Sequence, residues 1–456
     1  MNQVTSINPA TGIQLLTYNS NTIAEAEQAA TQAQIAFDNW RKTSFEERAA
    51  LLNRIAALLR QERDTLSKLA TIEMGKPILQ SRAEVDKCAM TLEFYAEQGA
   101  TLLQDQTVTT DAKKSYVSYQ PLGVVLAVMP WNFPFWQVFR AMAPLLMAGN
   151  ALLLKHASNV SGCALAIADI LQKAKAPQGL FTTLLLPASS IKALIAHPAI
   201  AAVTLTGSTA AGKEVASVAA AHIKKQVLEL GGSDAYIILK DADMNLTIKT
   251  CTYGRLVNSG QSCVAAKRFI VEKDALPVFE EGLLASFKAA TFGDPLIEHH
   301  TIGPLARVDL RDELHEQVVK SIEMGATLLC GGYIPEGAGA YYPPTILSNV
   351  KKGMPAYDEE LFGPVAAIIE AKDEAEAIRI ANDSIYGLGA GIFSANIEKA
   401  EAIAANELQA GNCFVNAFVH SDPRLPFGGI KQSGYGRELG EWGIKEFVNV
   451  KTVFIG

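Results

Sequence analysis

From residue 123 the chain repeats one arrangement: a short uninterrupted apolar run, a segment of helix length, then another apolar run. The runs are GVVLAVM (123–129), ALLLK (151–155), FTTLLL (181–186), AAVTLT (201–206) and KQVLEL (225–230). A strand that is apolar on both faces must be covered on both faces. Such runs alternating with helices therefore predict βαβ units and a mostly parallel sheet between helical layers, the frame of a dinucleotide-type α/β domain. After ELGGSD (229–234) the alternation restarts with AYIIL (235–239), RFIVE (268–272), TLLCGG (327–332) and VAAIIE (365–370). This predicts a second α/β domain, with its boundary near Gly231-Gly232.

Two domains also suit the length, since 456 residues exceed the roughly 250–300 at which single cores stop growing. The first hundred residues read as mostly helical. Thr22 with Glu25 and Ser44 with Glu47 form capping-box signatures, and Leu51, Ile55, Leu58 and Leu59 then recur on one helical face. KKSYVSYQPLG (113–123) alternates like an exposed hairpin, as does the C-terminal KEFVNVKTVFI. Both could pair with another subunit or be ordinary edge strands.

A net charge of -7 without a basic run argues against nucleic acid as a partner. The N-terminus MNQVTSINPATG lacks the basic and apolar regions of a secretory signal, and Asn132, Pro134, Arg140 and Pro144 interrupt the most apolar stretch, 123–154. A cytoplasmic protein with no membrane partner is expected. The six cysteines are scattered without CxxC spacing, and the seven histidines form no HExxH, so reduced thiols and no metal are predicted.

TLTGSTAAGKEVA (204–216) nearly matches a triphosphate-binding loop: Gly207, four residues, Gly212, Lys213. The next position should carry a hydroxyl for Mg²⁺, and Glu214 stands there instead. That substitution disfavours the P-loop alternative.

In NSGQSCVAAKRF (258–269), Cys263 follows a glycine-bearing polar turn just before a strand, whereas Cys88, Cys163 and Cys251 sit in helical apolar patterns. A lone free cysteine is more often core filler. Glu229, ending an apolar strand beside two glycines, could be a solvated strand end, and Asn132, in MPWNFPFW (129–136), a turn former. Together the three supply a thiolate nucleophile, a carboxylate base and an amide donor for an oxyanion.

The motifs MPWNFP, LTGSTAAGK, LELGG, NSGQSC, EELFGPV (359–365) and PFGGIKQSGYGRE (426–438) stand in the order and spacing of the aldehyde dehydrogenase superfamily. The chain resembles its succinate-semialdehyde dehydrogenase branch, the shorter bacterial NAD(P)-dependent type. The resemblance implies a Rossmann-type cofactor domain (1–110 and 122–230, with 433–444 packing near it) and a catalytic domain (231–432). It also implies oligomerisation strands at 111–121 and 445–456, in a homodimer or homotetramer. Cys263 would attack the aldehyde, Asn132 and the Cys263 N–H would hold the oxyanion, hydride would pass to nicotinamide, and Glu229 would activate water against the thioester. Retention of Glu229 favours hydrolysis over acyl transfer to CoA.

By the same resemblance, Trp131, Lys155, Ser158, Gly207, Ser208, Leu230, Glu360 and Phe362 would bind the cofactor, Lys155 meeting the adenosine ribose. Gly207 and Ser208 would offer diphosphate a helix N-terminus without Mg²⁺. Many NAD-specific members carry Glu where Ser158 stands, so NADP should be accepted alongside NAD. Arg140 matches an arginine that grips the distal carboxylate of succinate semialdehyde, and Ser421 is a further candidate. A second arginine of some relatives is replaced by Val257, with Arg255, Ser421 and Arg424 as possible substitutes, and Ala265 stands where some relatives have a redox-switch cysteine. Another small aliphatic aldehyde is the alternative substrate. A non-enzymatic protein on the same fold would not need Cys263, Glu229 and Asn132 together.

Overall fold

The computed structural model describes residues 3–456. A six-stranded sheet runs in the order Gly434–Tyr435, Lys225–Glu229, Ile200–Thr206, Val124–Met129, Ala151–His156, Phe181–Leu184. All neighbours are parallel except the two-residue first strand. The helix Trp136–Ala148 is buried along all thirteen of its residues, which explains why its sequence is apolar apart from Gln137 and Arg140. No helix among the described residues is long and apolar enough to cross a membrane.

A seven-stranded sheet follows the order Thr327–Cys330, Thr345–Ser348, Val365–Ala371, Ala266–Glu272, Asp234–Ile238, Gly389–Phe393, Asn412–Val415. Only its first strand is antiparallel to its neighbour. The chain leaves the first sheet at Glu229 and joins the second at Asp234. The strands 345–348, 389–393 and 412–415 have no counterpart among the apolar runs, being short and interrupted by glycine or polar residues.

The N-terminal region adds a β-hairpin to its helices: Gln3–Ile7 pairs with Gln14–Asn19. Both strands are largely exposed, so they carry no alternation of apolar residues to betray them. The capping boxes at Thr22 and Ser44 close with both reciprocal hydrogen bonds.

Lys114–Pro121 does not fold back as a hairpin with the residues after it. It pairs antiparallel with Val448–Ile455, register Val448↔Pro121 to Ile455↔Lys114, and on its other side with Gln106–Thr107. Val448–Ile455 is thereby an edge strand of this three-stranded sheet.

Candidate active site

The loop before Cys263 is built from unusual backbone. Asn258, Ser259 and Gly260 take φ of 55°, 53° and 74°, three successive left-handed residues. For non-glycine residues that conformation costs about 1–2 kcal/mol each, so it persists only where partners enforce it. Asn258 N–H donates to Gln80 Oε1 at 2.6 Å, and its side-chain amide donates to the carbonyls of Asn132 (2.7 Å) and Gln261 (3.0 Å). The Ser259 hydroxyl donates to the Gly303 carbonyl at 3.1 Å and accepts from the Gly303 N–H at 3.0 Å. A Cβ at Gly260 would overlap the carbonyl of Gly363, inside the EELFGPV motif. Arg255 clamps the loop, donating to the carbonyls of Gly260 (2.6 Å) and Ala266 (3.0 Å) from a fully buried position. It is a structural brace and does not substitute for the arginine missing at Val257.

Cys263 sits where two cavities meet, lining both. Protein surrounds its thiol closely enough that burial pushes it up to about 12, against the opposing pull of Lys267 and Arg140. The Cys263 N–H has no acceptor among the described residues. Asn132 Nδ2 spends one hydrogen on the Gln261 carbonyl at 3.1 Å, and its buried Oδ1 has no partner. The Cys263 N–H and the second hydrogen of Asn132 Nδ2 are therefore both left without an acceptor among the described residues. Lys267 holds the loop from beneath, its ammonium donating to the carbonyls of Ser262 (2.8 Å) and Cys263 and pairing with Glu360 at 3.3 Å.

The first cavity, about 430 Å³, opens at the carboxyl ends of the parallel strands, where sheets of this type take nucleotides. It brings together Trp131, Gly207, Ser208, Leu230, Glu360 and Phe362. Trp131 meets Phe362 edge-on, centroids 5.8 Å apart, and Glu360 accepts from the Gly232 N–H at 3.0 Å. Ser208 caps the helix Thr209–Ala221, its hydroxyl accepting from Ala211 N–H at 3.3 Å. At Gly212 a Cβ would stand 2.6 Å from Leu230, so glycine lets this helix lie close on the sheet, while Lys213 and Glu214 are exposed. Lys155 and Ser158 do not line the cleft. Lys155 is the penultimate residue of the strand Ala151–His156, opposite Val128, and burial lowers the pKa of its unpaired ammonium; exposed Ser158 lies beyond the strand's end.

The second cavity, about 860 Å³, includes Lys87, Trp136, Arg140, Val257 and Ser421 beside Cys263. Arg140 is almost fully buried. Its Nε pairs with Glu438, Nη2 donates to Thr206 Oγ1 at 3.1 Å, and its guanidinium lies 5.0 Å from the Phe427 ring centroid. Glu438 thus already opposes the positive charge expected to face a substrate carboxylate. Arg424 is exposed and paired with Asp422 at 2.6 Å, so it is not a substitute either. Ser421 accepts from the Lys87 ammonium at 2.8 Å.

Glu229 lines neither cavity. Its carboxylate is buried against Gly428, where a Cβ would lie 2.7 Å away, and neither oxygen has a hydrogen-bond partner. Burial first, and the neighbouring Glu438 second, push it well above the usual carboxylate range.

Residues 1–453 match the aldehyde dehydrogenase family. The chain belongs to that family. It is 49% identical over 452 residues to a probable NADP(+) succinate-semialdehyde dehydrogenase of Synechocystis sp., covering 99% of both chains. It is 47% identical over 449 residues to the NAD(P)+ succinate semialdehyde dehydrogenase Sad of Escherichia coli, covering 98% of this chain and 97% of that one. The crystal structure of succinic semialdehyde dehydrogenase from Streptococcus pyogenes in complex with NADP+ superimposes with a TM-score of 0.97 at 39% identity, covering 99% of each chain.

Two residues of this aldehyde dehydrogenase escaped sequence reasoning. Glu438 closes the PFGGIKQSGYGRE motif, but nothing in its neighbours shows that it pairs with a residue 298 positions earlier. Lys87 lies inside the helix Ile78–Leu102 and reads as a solvated helix residue. Only the packing of that helix against the segment carrying Ser421 turns it into a cavity wall.

Proposed function

We propose that this aldehyde dehydrogenase oxidises succinate semialdehyde to succinate, using NADP+ as well as NAD+. The observation carrying the reading is the position of Cys263 at the junction of a cleft at the strand ends and a second cavity bearing cations. The names of the relatives in Synechocystis and E. coli support the same substrate.

The cleft suits a dinucleotide. The helix headed by Ser208 offers free N–H groups to a diphosphate, Lys155 supplies an unpaired cation two strands along the sheet, and Ser158 presents no carboxylate to a 2′-phosphate. When bound, the nicotinamide supplies the hydride acceptor.

The remaining chemistry belongs to the protein. Cys263 must lose its proton to attack the aldehyde carbon, and a thiol pushed up to about 12 does so only with help. Glu229, once ionised and turned from Gly428 toward the thiol, is the base. The new oxyanion is held by the Cys263 N–H and Asn132 Nδ2, each such donor lowering the barrier by on the order of 3 kcal/mol. Loss of hydride from the carbon leaves a thioester on Cys263. Glu229 first gives up the thiol's proton to solvent and then takes one from water as it attacks; the same donors hold the second oxyanion, and the thiolate departs from the acid.

The exposed edge Val448–Ile455 suits assembly into a homodimer or homotetramer, and six free cysteines suit a reducing cytoplasm.

A panel of aldehydes with each cofactor, followed at the reduced-nicotinamide absorbance band, tests the reading. Wild type should turn over succinate semialdehyde with both cofactors, and Cys263→Ala should be inactive. Turnover of other aldehydes but not this one would sink the substrate assignment; an active Cys263→Ala would sink the mechanism.

A further inference from the structure

The second cavity has three cationic side chains in its wall, Arg60, Lys87 and Arg140, and two are already engaged. Arg60 is paired with Glu93 at 2.7 Å and with Asp86 at 3.9 Å, and Arg140 with Glu438. Lys87 has no ion-pair partner among the described residues. The carboxylates nearest it are committed elsewhere. Asp422 holds Arg424, while Glu84 pairs with Lys76 and accepts from the N–H groups of Phe135 (2.8 Å) and Trp136 (2.9 Å).

The ammonium is also fixed in place. It lies 4.2 Å from the Trp136 ring centroid and donates to Ser421 Oγ at 2.8 Å, so two of its neighbours set its direction and leave further donor capacity. A half-buried, oriented and unpaired cation in a mostly apolar cavity is a receptor for one anionic group, since an anion would regain there the charge pairing that burial denies.

We propose that Lys87, with Ser421 beside it, receives the far carboxylate of an ω-carboxy aldehyde whose carbonyl carbon is at Cys263, and is the specificity-determining cation of this cavity. The inference rests on the succinate-semialdehyde reading above and explains how Val257 can stand where some relatives have an arginine. Burial, reinforced by Arg140, lowers Lys87 to about 8, while Cys88, Asp422 and Glu84 act in the other direction. The side chain is therefore a cation at neutral pH, and an arriving carboxylate stabilises that form.

Wild type, Lys87→Met and Lys87→Arg are compared at saturating NADP+ on succinate semialdehyde and on butanal, which lacks the carboxylate. Lys87→Met should raise KM for succinate semialdehyde by roughly 30-fold with kcat little changed, the size expected for one charge-assisted hydrogen bond. Its KM for butanal should hold or fall, which also shows that the variant is folded, and Lys87→Arg should recover most of the loss. In wild type, KM for the acidic aldehyde alone should climb above pH about 8. Equal changes for both aldehydes, or no change for either, would overturn the proposal. Failure of wild type itself to use succinate semialdehyde, with butanal oxidised normally, would instead overturn the parent reading.

Discussion

Arg255 Nη2 reaches the Gly260 carbonyl at 2.6 Å, joining the end of one helix to the last of three left-handed residues ahead of Cys263. The position of Cys263 is set by this brace and by the Gly363 backbone behind Gly260. Arg255→Met should leave two buried carbonyls without donors, at about 1–3 kcal/mol each, and lower kcat with both acidic and neutral aldehydes. Denaturant titration and kinetics check this. A rise in KM confined to acidic aldehydes, at unchanged stability, would return Arg255 to the substrate.

Gly260→Ala should be worse than an ordinary loop substitution. The methyl would collide with the Gly363 carbonyl at a φ of 74°, so loss of several kcal/mol or of soluble protein is expected. A variant with wild-type melting temperature and activity would show that the two segments part easily.

In the protein without cofactor, alkylation of Cys263 by iodoacetamide should keep accelerating with pH to beyond pH 9, because its thiol is pushed up to about 12. The rate is read by mass spectrometry against Cys263→Ala. A plateau below pH 8 would mean that a base in the resting site already ionises it.

Glu229 gives a stability prediction with an unusual sign. Its folded pKa is raised, so between the ordinary carboxylate range and that raised value the folded state retains a proton that the unfolded chain releases. Stability must therefore fall as pH rises through this window, and Glu229→Gln should remove part of the fall while abolishing thioester hydrolysis. Melting temperatures of both proteins at pH 5 and pH 8 make the comparison. An equal drop in both would place the titration elsewhere.

Ser158→Glu should reduce kcat/KM with NADP+ by about 10-fold or more while NAD+ use survives, since a carboxylate there opposes a 2′-phosphate. Parallel kinetics with the two cofactors decide it. Equal loss with both would put Ser158 outside the ribose site.

Much of this protein was legible in its sequence because the signals are local. Uninterrupted apolar runs must become covered strands, and the capping-box pairs Thr22 with Glu25 and Ser44 with Glu47 must start helices. The short strands at 389–393 and 412–415, and the exposed N-terminal hairpin, were not legible. Their residues lack a repeating apolar face, and the partners that hold them are distant in the chain.

The sequence by itself determined which residues could do chemistry: Cys263, Glu229 and Asn132 are the types acyl chemistry needs, set in motifs that occur together. Tertiary structure decided what each charged side chain faces. Arg140 lies against Glu438, Arg255 against backbone carbonyls, and Lys87 in a cavity wall where it touches Ser421 and Trp136 but has no ion-pair partner among the described residues. The reason is physical: a side chain's type is fixed by its codon, but its charge acts through desolvation and through neighbours a few ångströms away. In this fold Ser421 reaches Lys87 from 334 positions along the chain.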